Sequence, residues 1–321
     1  MSAWRVGILG AGMMAQGFDQ PGSPRVLSMA HAFQRSAGFS LGGFFDRAVD
    51  RATGAEARWG CPPTSRDRQE WLQSGWDVVY IATPDDAHAQ DLADVLEHRP
   101  KAVVIEKPVA AQPDDAEQLL SRAHAAGVPV LVNYPRRHHT AVGKVRAAVA
   151  AGRFARPDGA VLVASGRPAH NLPHATDLFH TIWGGGWTVQ CAGGTNGGAC
   201  LQFRRGGTVF PLLVFTRPAG HYLWEMHIYT GDGKVELSGS PERLTVSTPQ
   251  PHPEYGDYRV LTPVSTDGME DEALLTGTVE ALRGVLIDAA FAAVTVEREA
   301  ASQRLTSSVL RCLEEPETKR R

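Results

Sequence analysis

The feature of this chain that most constrains its fold is a glycine-rich turn that directly follows a short apolar run near the N-terminus. The run extends from Arg5 to Leu9, and the turn reads Gly10-Ala11-Gly12-Met13-Met14-Ala15. Glycines at these positions permit a tight turn and let backbone N–H groups approach a pyrophosphate closely. The segment therefore predicts the first strand of a parallel sheet and a dinucleotide-binding loop at Gly10, Gly12, Met13 and Met14.

Short β-branched runs alternate with longer runs of helical period between residues 4 and 134, which is typical of parallel strands joined by crossover helices. Such a series is best buried as a doubly wound α/β sheet, so residues 1–134 are expected to form a Rossmann domain. The expected strands are Arg5 to Leu9, Ser40 to Phe45, Asp77 to Ala82, Ala102 to Glu106 and Pro129 to Asn133.

After residue 134 the pattern changes to longer strands, separated by glycine-rich turns and with little helix between them. We expect residues 135–321 to form a second α/β domain with an open, mostly antiparallel mixed sheet. Two helices, Glu270 to Phe291 and Glu297 to Leu313, are assigned to this second domain. The expected strands are Ala160 to Ala164, Val189 to Ala192, Ala199 to Arg204, Thr208 to Thr216, Leu223 to Thr230 and Lys234 to Leu237.

Composition excludes several classes of partner. The chain of 321 residues has 32 Lys and Arg against 35 Asp and Glu, so no excess positive charge is available for nucleic acid or anionic lipid. No apolar run approaches the roughly 20 residues that a membrane-spanning helix needs. The four cysteines form no CxxC pair, and none joins a histidine at zinc-finger spacing. We therefore predict reduced thiols, no metal site and a cytoplasmic location.

An acidic residue follows the second predicted strand, at the position that binds the adenosine ribose hydroxyls in dinucleotide-binding sheets. This residue is Asp46, and the long gap between it and the glycine loop indicates an insertion at Phe18 to Pro24. Asp46 would repel a ribose phosphate, which favours NAD as the cofactor. The neighbouring Arg47 would pair with that phosphate, so NADP remains possible.

Two further motifs end predicted strands, at the sheet edge where open α/β sheets bind their ligands. Thr83-Pro84 with His88 follows the strand at residues 77–82, and Glu106-Lys107-Pro108 follows the strand at residues 102–106. A lysine that leaves a buried strand beside a proline that can be cis favours a functional role over a side chain that only extends to solvent. His88 is either a ligand contact or a residue that packs on its own helix.

The glycine loop and these two motifs together resemble the Gfo/Idh/MocA oxidoreductase family. The resemblance implies an N-terminal Rossmann domain that binds NAD(P), a C-terminal domain with an open mixed sheet that carries the substrate, and assembly into dimers or tetramers. It also implies that Lys107 reaches the nicotinamide ribose and the substrate hydroxyl. Thr83, Pro84, His88 and Glu106 join the glycine loop, Asp46 and Arg47 in the predicted cofactor site.

The second-domain signature of this family is an acid or amide, a histidine four residues later and an aspartate three residues after that. Here His174 and Asp177 are kept, but the first position is His170, with Asn171 one residue later. The segment resembles a branch of the family with an HNxxHxxDL pattern. Histidine is poised for proton transfer near neutral pH, so His174 is the expected base. Lys107 would share the proton, and Asp177 would orient His174 or bind a substrate hydroxyl.

The predicted function is an NAD(P)-dependent oxidoreductase that transfers a hydride between the nicotinamide and a secondary alcohol or ketone of a sugar, a cyclitol or a nucleotide sugar. Arg136 and Arg137 either contact an anionic substrate or form a solvated helix start. His170, Asn171 and His180 are further candidates for the substrate site. Two other functions stay open: a non-catalytic sensor of dinucleotide or sugar, and a glycosidase in which bound NAD is oxidant and reductant within one cycle.

Overall fold

The chain folds into two compact units, which we call the N-terminal unit and the sheet unit. The computed structural model describes residues 3–314 except 167, 196–197, 218–220, 222, 239–241 and 270–273. The N-terminal unit consists of Met1–Pro135 and Asp271–Ala300, and the sheet unit of Arg136–Glu270 and Ala301–Arg321.

A five-stranded parallel sheet in the order β2-β1-β3-β4-β5 forms the centre of the N-terminal unit. Every residue of β3 and β4 is buried, which is typical of strands in a sheet covered on both faces. Because β1 lies between β2 and β3, the strand order reverses there, and open α/β sheets bind their ligands at such a reversal. The predicted doubly wound sheet is confirmed. Its strands are β1 (Trp4–Leu9), β2 (Phe39–Phe45), β3 (Val78–Ile81), β4 (Ala102–Ile105) and β5 (Val130–Val132).

Helices of this unit connect the strands, with one departure from a regular crossover after β1. The glycine loop leads into a π-helical turn, Met13–Gly17, and the first α-helix begins only at Met29. The intervening segment is anchored by Asp19, which accepts hydrogen bonds from the backbone N–H of Leu27 and from Ser28 and contacts the buried His31. The helices are α1 (Met29–Arg35), α2 (Val49–Trp59), α3 (Arg68–Leu72), α4 (His88–Glu97) and α5 (Pro113–Ala125).

The sheet unit contains an eight-stranded sheet in the order β13-β12-β11-β10-β6-β9-β8-β7. β6 and β9 pair in parallel and the other pairs are antiparallel, so the predicted open, mostly antiparallel mixed sheet is confirmed. β12 and β13 were not expected, since the prolines of residues 249–253 are typical of a loop. The strands are β6 (Pro157–Ser165), β7 (Thr188–Thr195), β8 (Gly198–Arg205), β9 (Thr208–Arg217), β10 (Trp224–Thr230), β11 (Gly233–Ser238), β12 (Arg243–Pro251) and β13 (Arg259–Gly268).

The sheet unit also contains two helices, α6 (Thr140–Ala150) and α7 (Pro168–Trp183). Phe179 of α7 packs on aromatic rings of the sheet, with ring centroids 5.4 Å from Phe203 and 5.7 Å from Phe210. These contacts fix which face of α7 is buried. In the part of the chain that the structure describes, no helix is both long and apolar enough to cross a membrane.

The last two helices, α8 (Leu274–Ile287) and α9 (Ala289–Glu314), require a correction to the expected domains. Both were assigned to the second domain, with the division between residues 134 and 135. Leu275, Val279 and Leu282 of α8 instead lie in the same apolar core as Val6 and Ile8 of β1. The periodicity of α8 shows that it has an apolar face but not which core that face covers, so residues 271–300 were misassigned.

Candidate functional site

The glycine loop lies at the carboxyl end of β1, and its two glycines have different surroundings. Gly10 has φ +97°, and a Cβ built there would lie 2.5 Å from the carbonyl oxygen of Ala82. A Cβ on Gly12 would meet no protein atom within 4 Å. The first glycine therefore lets the loop pack directly against the end of β3. The second keeps the loop backbone open, as a bound pyrophosphate requires.

Asp46 lies beside this loop, at the end of β2. Its two carboxylate oxygens accept hydrogen bonds from the backbone N–H groups of Ala11, at 2.9 Å, and Ala48, at 2.8 Å. Asp46 therefore ties the glycine loop to the start of α2. Each oxygen keeps acceptor capacity for a further hydroxyl donor.

A cavity of about 570 Å³ joins these groups at the carboxyl ends of β1, β2 and β3. Its size is that of pockets that hold small ligands. Gly10, Gly12, Asp46, Arg47, Thr83 and Pro84, all predicted site residues, line it. Arg51, Arg68 and Asp91 also line it and were missed. The sequence feature that could have identified Arg51 is its position four residues after Arg47, at the start of a helix.

Met13 and Met14 occupy the first two positions of the π-helical turn, next to the loop. The side chain of Met13 is 55% exposed, which is high for an apolar residue, and Met14 is half-buried. Neither residue lines the cavity, so their predicted cofactor contact stays a prediction that the loop backbone alone supports.

Thr83 and His88 connect the motif after β3 to the motif after β4. The Thr83 hydroxyl donates to Asp91 at 2.6 Å. The ring of His88 is fully buried, with Nε2 2.8 Å from the carbonyl oxygen of Thr83 and Nδ1 2.6 Å from that of Pro108. The ring of His88 therefore holds the two loops together, and its predicted contact with a cofactor stays a prediction.

Glu106 is also turned into the protein. One of its carboxylate oxygens accepts hydrogen bonds from the Tyr80 hydroxyl and from the Asn133 side-chain amide, each at 2.6 Å. Burial, with the charge of Glu106, raises the pKa of Tyr80 well above its ordinary value, so this phenol stays a donor. Glu106 is 9% exposed and has a role inside the sheet, while its predicted contact with a cofactor stays a prediction.

Lys107 follows Glu106 directly and is half-buried at the carboxyl end of β4. Its peptide bond to Pro108 is cis. Because β3 and β4 are parallel neighbours, Lys107 leaves the sheet at the same edge as Thr83. Glu106 is held on the inner side by Tyr80 and Asn133, which fixes the backbone from which Lys107 extends.

In the sheet unit, Asp177 and Arg137 form a buried ion pair. The guanidinium of Arg137 donates from two nitrogens to the two carboxylate oxygens of Asp177, and Ser302 donates to Asp177 at 3.0 Å. The side chains of Arg137 and Asp177 are 1% and 2% exposed. The burial of Arg137 contradicts a solvated helix start. The predicted contact of Asp177 with His174 or a substrate hydroxyl, and that of Arg137 with an anionic substrate, stay predictions.

Arg136 is likewise engaged within the sheet unit. It makes a two-nitrogen contact with Glu242, and its guanidinium lies 5.0 Å from the ring centroid of Trp224. Arg136 therefore joins the 3₁₀ turn at residues 135–138 to the sheet, which contradicts a solvated helix start. Its predicted contact with an anionic substrate stays a prediction.

The remaining candidates lie along α7 with different exposure. His170 is exposed and His174 is half-buried, whereas His180 is buried. Asn171 is oriented by two contacts, since its side chain donates to the carbonyl of Ser165 and its own carbonyl accepts from the Trp224 indole at 3.3 Å. His174, one turn before the buried Asp177, is half-buried and so keeps partial access to solvent, as the exposed His170 does.

Comparison with known proteins identifies the class of protein that this fold and loop define. Residues 4–134 match the model of the oxidoreductase family GFO_IDH_MocA, described as an oxidoreductase family with an NAD-binding Rossmann fold. This segment of the chain therefore resembles the Gfo/Idh/MocA oxidoreductases, the family that its motifs predicted.

Individual relatives match over shorter segments. The chain is 32% identical over 94 residues to scyllo-inositol 2-dehydrogenase (NADP(+)) IolU of Bacillus subtilis, and 33% identical over 81 residues to 1,5-anhydro-D-fructose reductase of Ensifer adhaerens. These segments are 29% and 25% of this chain and 28% and 24% of the relatives. The chain therefore matches about a quarter of the length of each curated relative.

A crystal structure of an NAD binding oxidoreductase from Klebsiella pneumoniae is similar over nearly the whole chain. The superposition covers 99% of this chain and 98% of that chain, with a TM-score of 0.76 at 16% sequence identity. At that identity the similarity shows a common fold.

Proposed function

We propose that this chain is an NAD(P)-dependent oxidoreductase that transfers a hydride between the nicotinamide and a secondary alcohol or ketone of a sugar, a cyclitol or a nucleotide sugar. The named activities of the two curated relatives, an inositol dehydrogenase and an anhydrofructose reductase, support this class of substrate.

The observation that carries the proposal is the cavity at the strand reversal of the N-terminal unit. It is lined by the open backbone of Gly12 and by the carboxylate of Asp46, and Lys107 leaves the sheet at the same edge. Backbone N–H groups suit a pyrophosphate, and a carboxylate suits ribose hydroxyls. These residues fit a nicotinamide dinucleotide, which when bound supplies or accepts the hydride.

The proton that accompanies the hydride is assigned to two side chains. The ammonium group of Lys107 would stabilise negative charge on the substrate oxygen, which lowers the pKa of the alcohol. The imidazole of His174 would accept that proton in oxidation and return it in reduction. Asp177 would act indirectly: its buried pair with Arg137 fixes α7 one turn beyond His174.

Nucleotide binding is the first test. Protein purified without added cofactor is denatured, and any released nucleotide is identified by mass spectrometry. The cofactor-free protein is then titrated with NAD(H) and NADP(H). Dissociation constants in the micromolar range would support the proposal, and absence of binding at millimolar concentrations would contradict it.

The catalytic assignments are tested with Lys107→Met and His174→Ala, once a panel of sugars and cyclitols has yielded a substrate. Turnover should fall about 10²- to 10⁴-fold in each, since that is the usual contribution of a general acid or base. Lys101→Met, at the opposite end of β4, and the exposed His124→Ala are matched controls that should keep wild-type turnover. Unchanged turnover in either test variant would contradict its assigned role.

Two wider features belong to the same proposal. The four cysteines are free thiols, which supports action in the reducing cytoplasm.

One face of the sheet carries exposed apolar side chains on β9: Val209, Leu213 and Phe215 are each about 40% exposed. This apolar face supports a homo-oligomer, either a dimer or a tetramer. Light scattering during size-exclusion chromatography tests the assembly, and a monomer at micromolar concentration would contradict it.

A further inference from the structure

The hydroxyl proton of Thr83 is used in a hydrogen bond within the protein. Thr83 lines the cavity just after β3, and its hydroxyl donates to Oδ2 of Asp91 on α4 at 2.6 Å. A carboxylate can only accept, so the single proton of this hydroxyl points to Asp91. The Thr83 oxygen keeps only its lone pairs for other partners. A ligand in the cavity therefore meets a hydrogen-bond acceptor at Thr83.

Asp91 is itself held in place from the side of α3. Its other oxygen, Oδ1, accepts from Nη2 of Arg68 at 2.7 Å, and Nη1 of the same guanidinium donates to Asp94 at 2.5 Å. Asp94 lies three residues further along α4 and also accepts from the Gln90 side chain at 2.6 Å. Both oxygens of Asp91 thus have a donor, and the residue is 7% exposed, so the orientation of its carboxylate is fixed.

These ion pairs contribute little to the stability of the fold. The side chains of Arg68 and Asp94 are 28% and 26% exposed, so solvent screens their attraction. α3 is a helix of only five residues, Arg68–Leu72. The side chain of Asp91 is 10% exposed, and its charge acts on the one hydroxyl that lines the cavity. The arrangement therefore orients that hydroxyl more than it stabilises the helices.

We propose that Asp91 is a positioning residue, which fixes Thr83 as the acceptor for a hydroxyl or amino group of the bound nucleotide. The inference rests on the proposed function and adds to it the direction of the hydrogen bond at the end of β3. The ionised oxygens of a phosphate have no proton to donate, and the charge of Asp91 repels them. The phosphates then lie at the glycine loop, and a proton-bearing group of the nucleotide lies at Thr83.

Calorimetric titration of the full chain with NADH and with NADPH tests whether the two side chains act as one. Thr83→Val removes the acceptor. The amide of the Asp91→Asn variant can donate to Thr83, which turns the hydroxyl proton toward the donor of the ligand. Each substitution should raise the dissociation constant about fivefold to tenfold, as expected for one hydrogen bond. The double variant should lose no more than about tenfold in total, because both changes remove the same contact.

Two further variants separate positioning from a general effect of charge or packing. Thr83→Ser keeps the hydroxyl and should recover most of the affinity that Thr83→Val loses. Glu97→Gln removes the same charge from α4 at a side chain that is 74% exposed, and it should bind like wild type. Urea unfolding without nucleotide establishes that every titrated variant is folded.

Three results would overturn the inference. They are losses that add in the double variant, wild-type affinity in Asp91→Asn, and a loss in Asp91→Asn that Thr83→Val does not share. In each case wild-type protein still binds a nicotinamide dinucleotide, so the proposed function survives. If wild-type protein binds neither dinucleotide, the proposed function fails and this inference fails with it.

Discussion

Gly10 and Gly12 of the glycine loop are required for different physical reasons, although the motif treats them alike. At Gly10 the backbone has a positive φ and the neighbouring carbonyl of Ala82 leaves no room for a Cβ. Gly12 has an extended backbone, φ −78° and ψ −168°, that any residue can adopt. The first glycine serves the fold, and the second serves the space for a ligand.

Substitution of each glycine by alanine should separate these two roles. Gly10→Ala should lower the free energy of unfolding by about 2 kcal/mol or more, because both the positive φ and the close contact must be relieved. Gly12→Ala should leave stability within about 0.5 kcal/mol of wild type and weaken dinucleotide binding. Urea unfolding and nucleotide titration of both variants test this prediction. A Gly12→Ala variant with wild-type affinity would contradict the assigned pyrophosphate loop.

The buried Arg137–Asp177 pair gives a second prediction at this scale. Asp177→Asn should destabilise the protein by about 3 kcal/mol, since it removes the charge of one partner from a buried ion pair. Asp267→Asn, which breaks the exposed pair with Lys144, is the matched control and should cost less than about 1 kcal/mol. Thermal unfolding and turnover are measured together. Wild-type stability with abolished turnover in Asp177→Asn would show that Asp177 acts on substrate directly.

Helix α2 is attached to its sheet by one carboxylate. Glu56, 3% exposed on α2, accepts hydrogen bonds from Arg66, from the hydroxyl and N–H of Thr64 and from the N–H of Phe44. Burial alone would raise the pKa of Glu56, but these donors outweigh it and lower the pKa below its ordinary value of 4.5. The arrangement holds the element that carries Arg51 against β2.

The sign of this pKa change predicts how stability depends on pH. A carboxylate with a lowered pKa in the folded state contributes stability above its unfolded pKa, and loses it as pH falls through the folded pKa. Glu56→Gln should therefore be less stable than wild type by about 2 kcal/mol at neutral pH. Urea unfolding across the acidic range tests this: the difference should shrink below about pH 4.5. A difference that stays constant down to about pH 3 would contradict the assignment.

At the scale of the whole molecule, helix α8, which comes late in the chain, completes the core of the N-terminal unit. α8, some 140 residues after β5, buries Leu275, Val279 and Leu282 in the core of the parallel sheet. Thr278 of the same helix donates to the Asn133 side chain at 2.9 Å, and Asn133 in turn holds Glu106. The N-terminal unit thus depends on residues that lie after the second sheet.

Truncation of a single side chain on α8 tests this dependence. Leu282→Ala, at a fully buried position, should destabilise the N-terminal unit by about 2–5 kcal/mol and reduce nucleotide binding at moderate urea concentration. Val294→Ala, on α9 at a position 66% exposed, is the control and should have little effect. Unfolding is monitored by two measurements, the loss of nucleotide binding and the change in circular dichroism. Equal effects of the two substitutions would contradict the placement of α8.

The strands of the parallel sheet and the glycine loop were predictable because their signals are local. A fully buried strand has a continuous apolar sequence, and a tight turn near a phosphate needs glycine at fixed positions. His88, Glu106 and Asp177 were identified as notable, but the contacts that hold them within the protein were not predicted. Their actual partners, among them Pro108, Tyr80 and Arg137, lie 20 to 40 residues away, and no local pattern encodes such pairs.

The sequence by itself determined the class of fold, the family that residues 4–134 resemble and the edge of the sheet where the glycine loop lies, because periodicity, glycine and strand ends act over a few residues. The tertiary structure alone decided which charged groups remain available at that edge. Arg68 is neutralised by acids of α4, and Asp46 is bound by backbone N–H groups, while Arg47 and Arg51 are left at the rim. An ion pair depends on distance in space, and distance in space is a property of the packed chain.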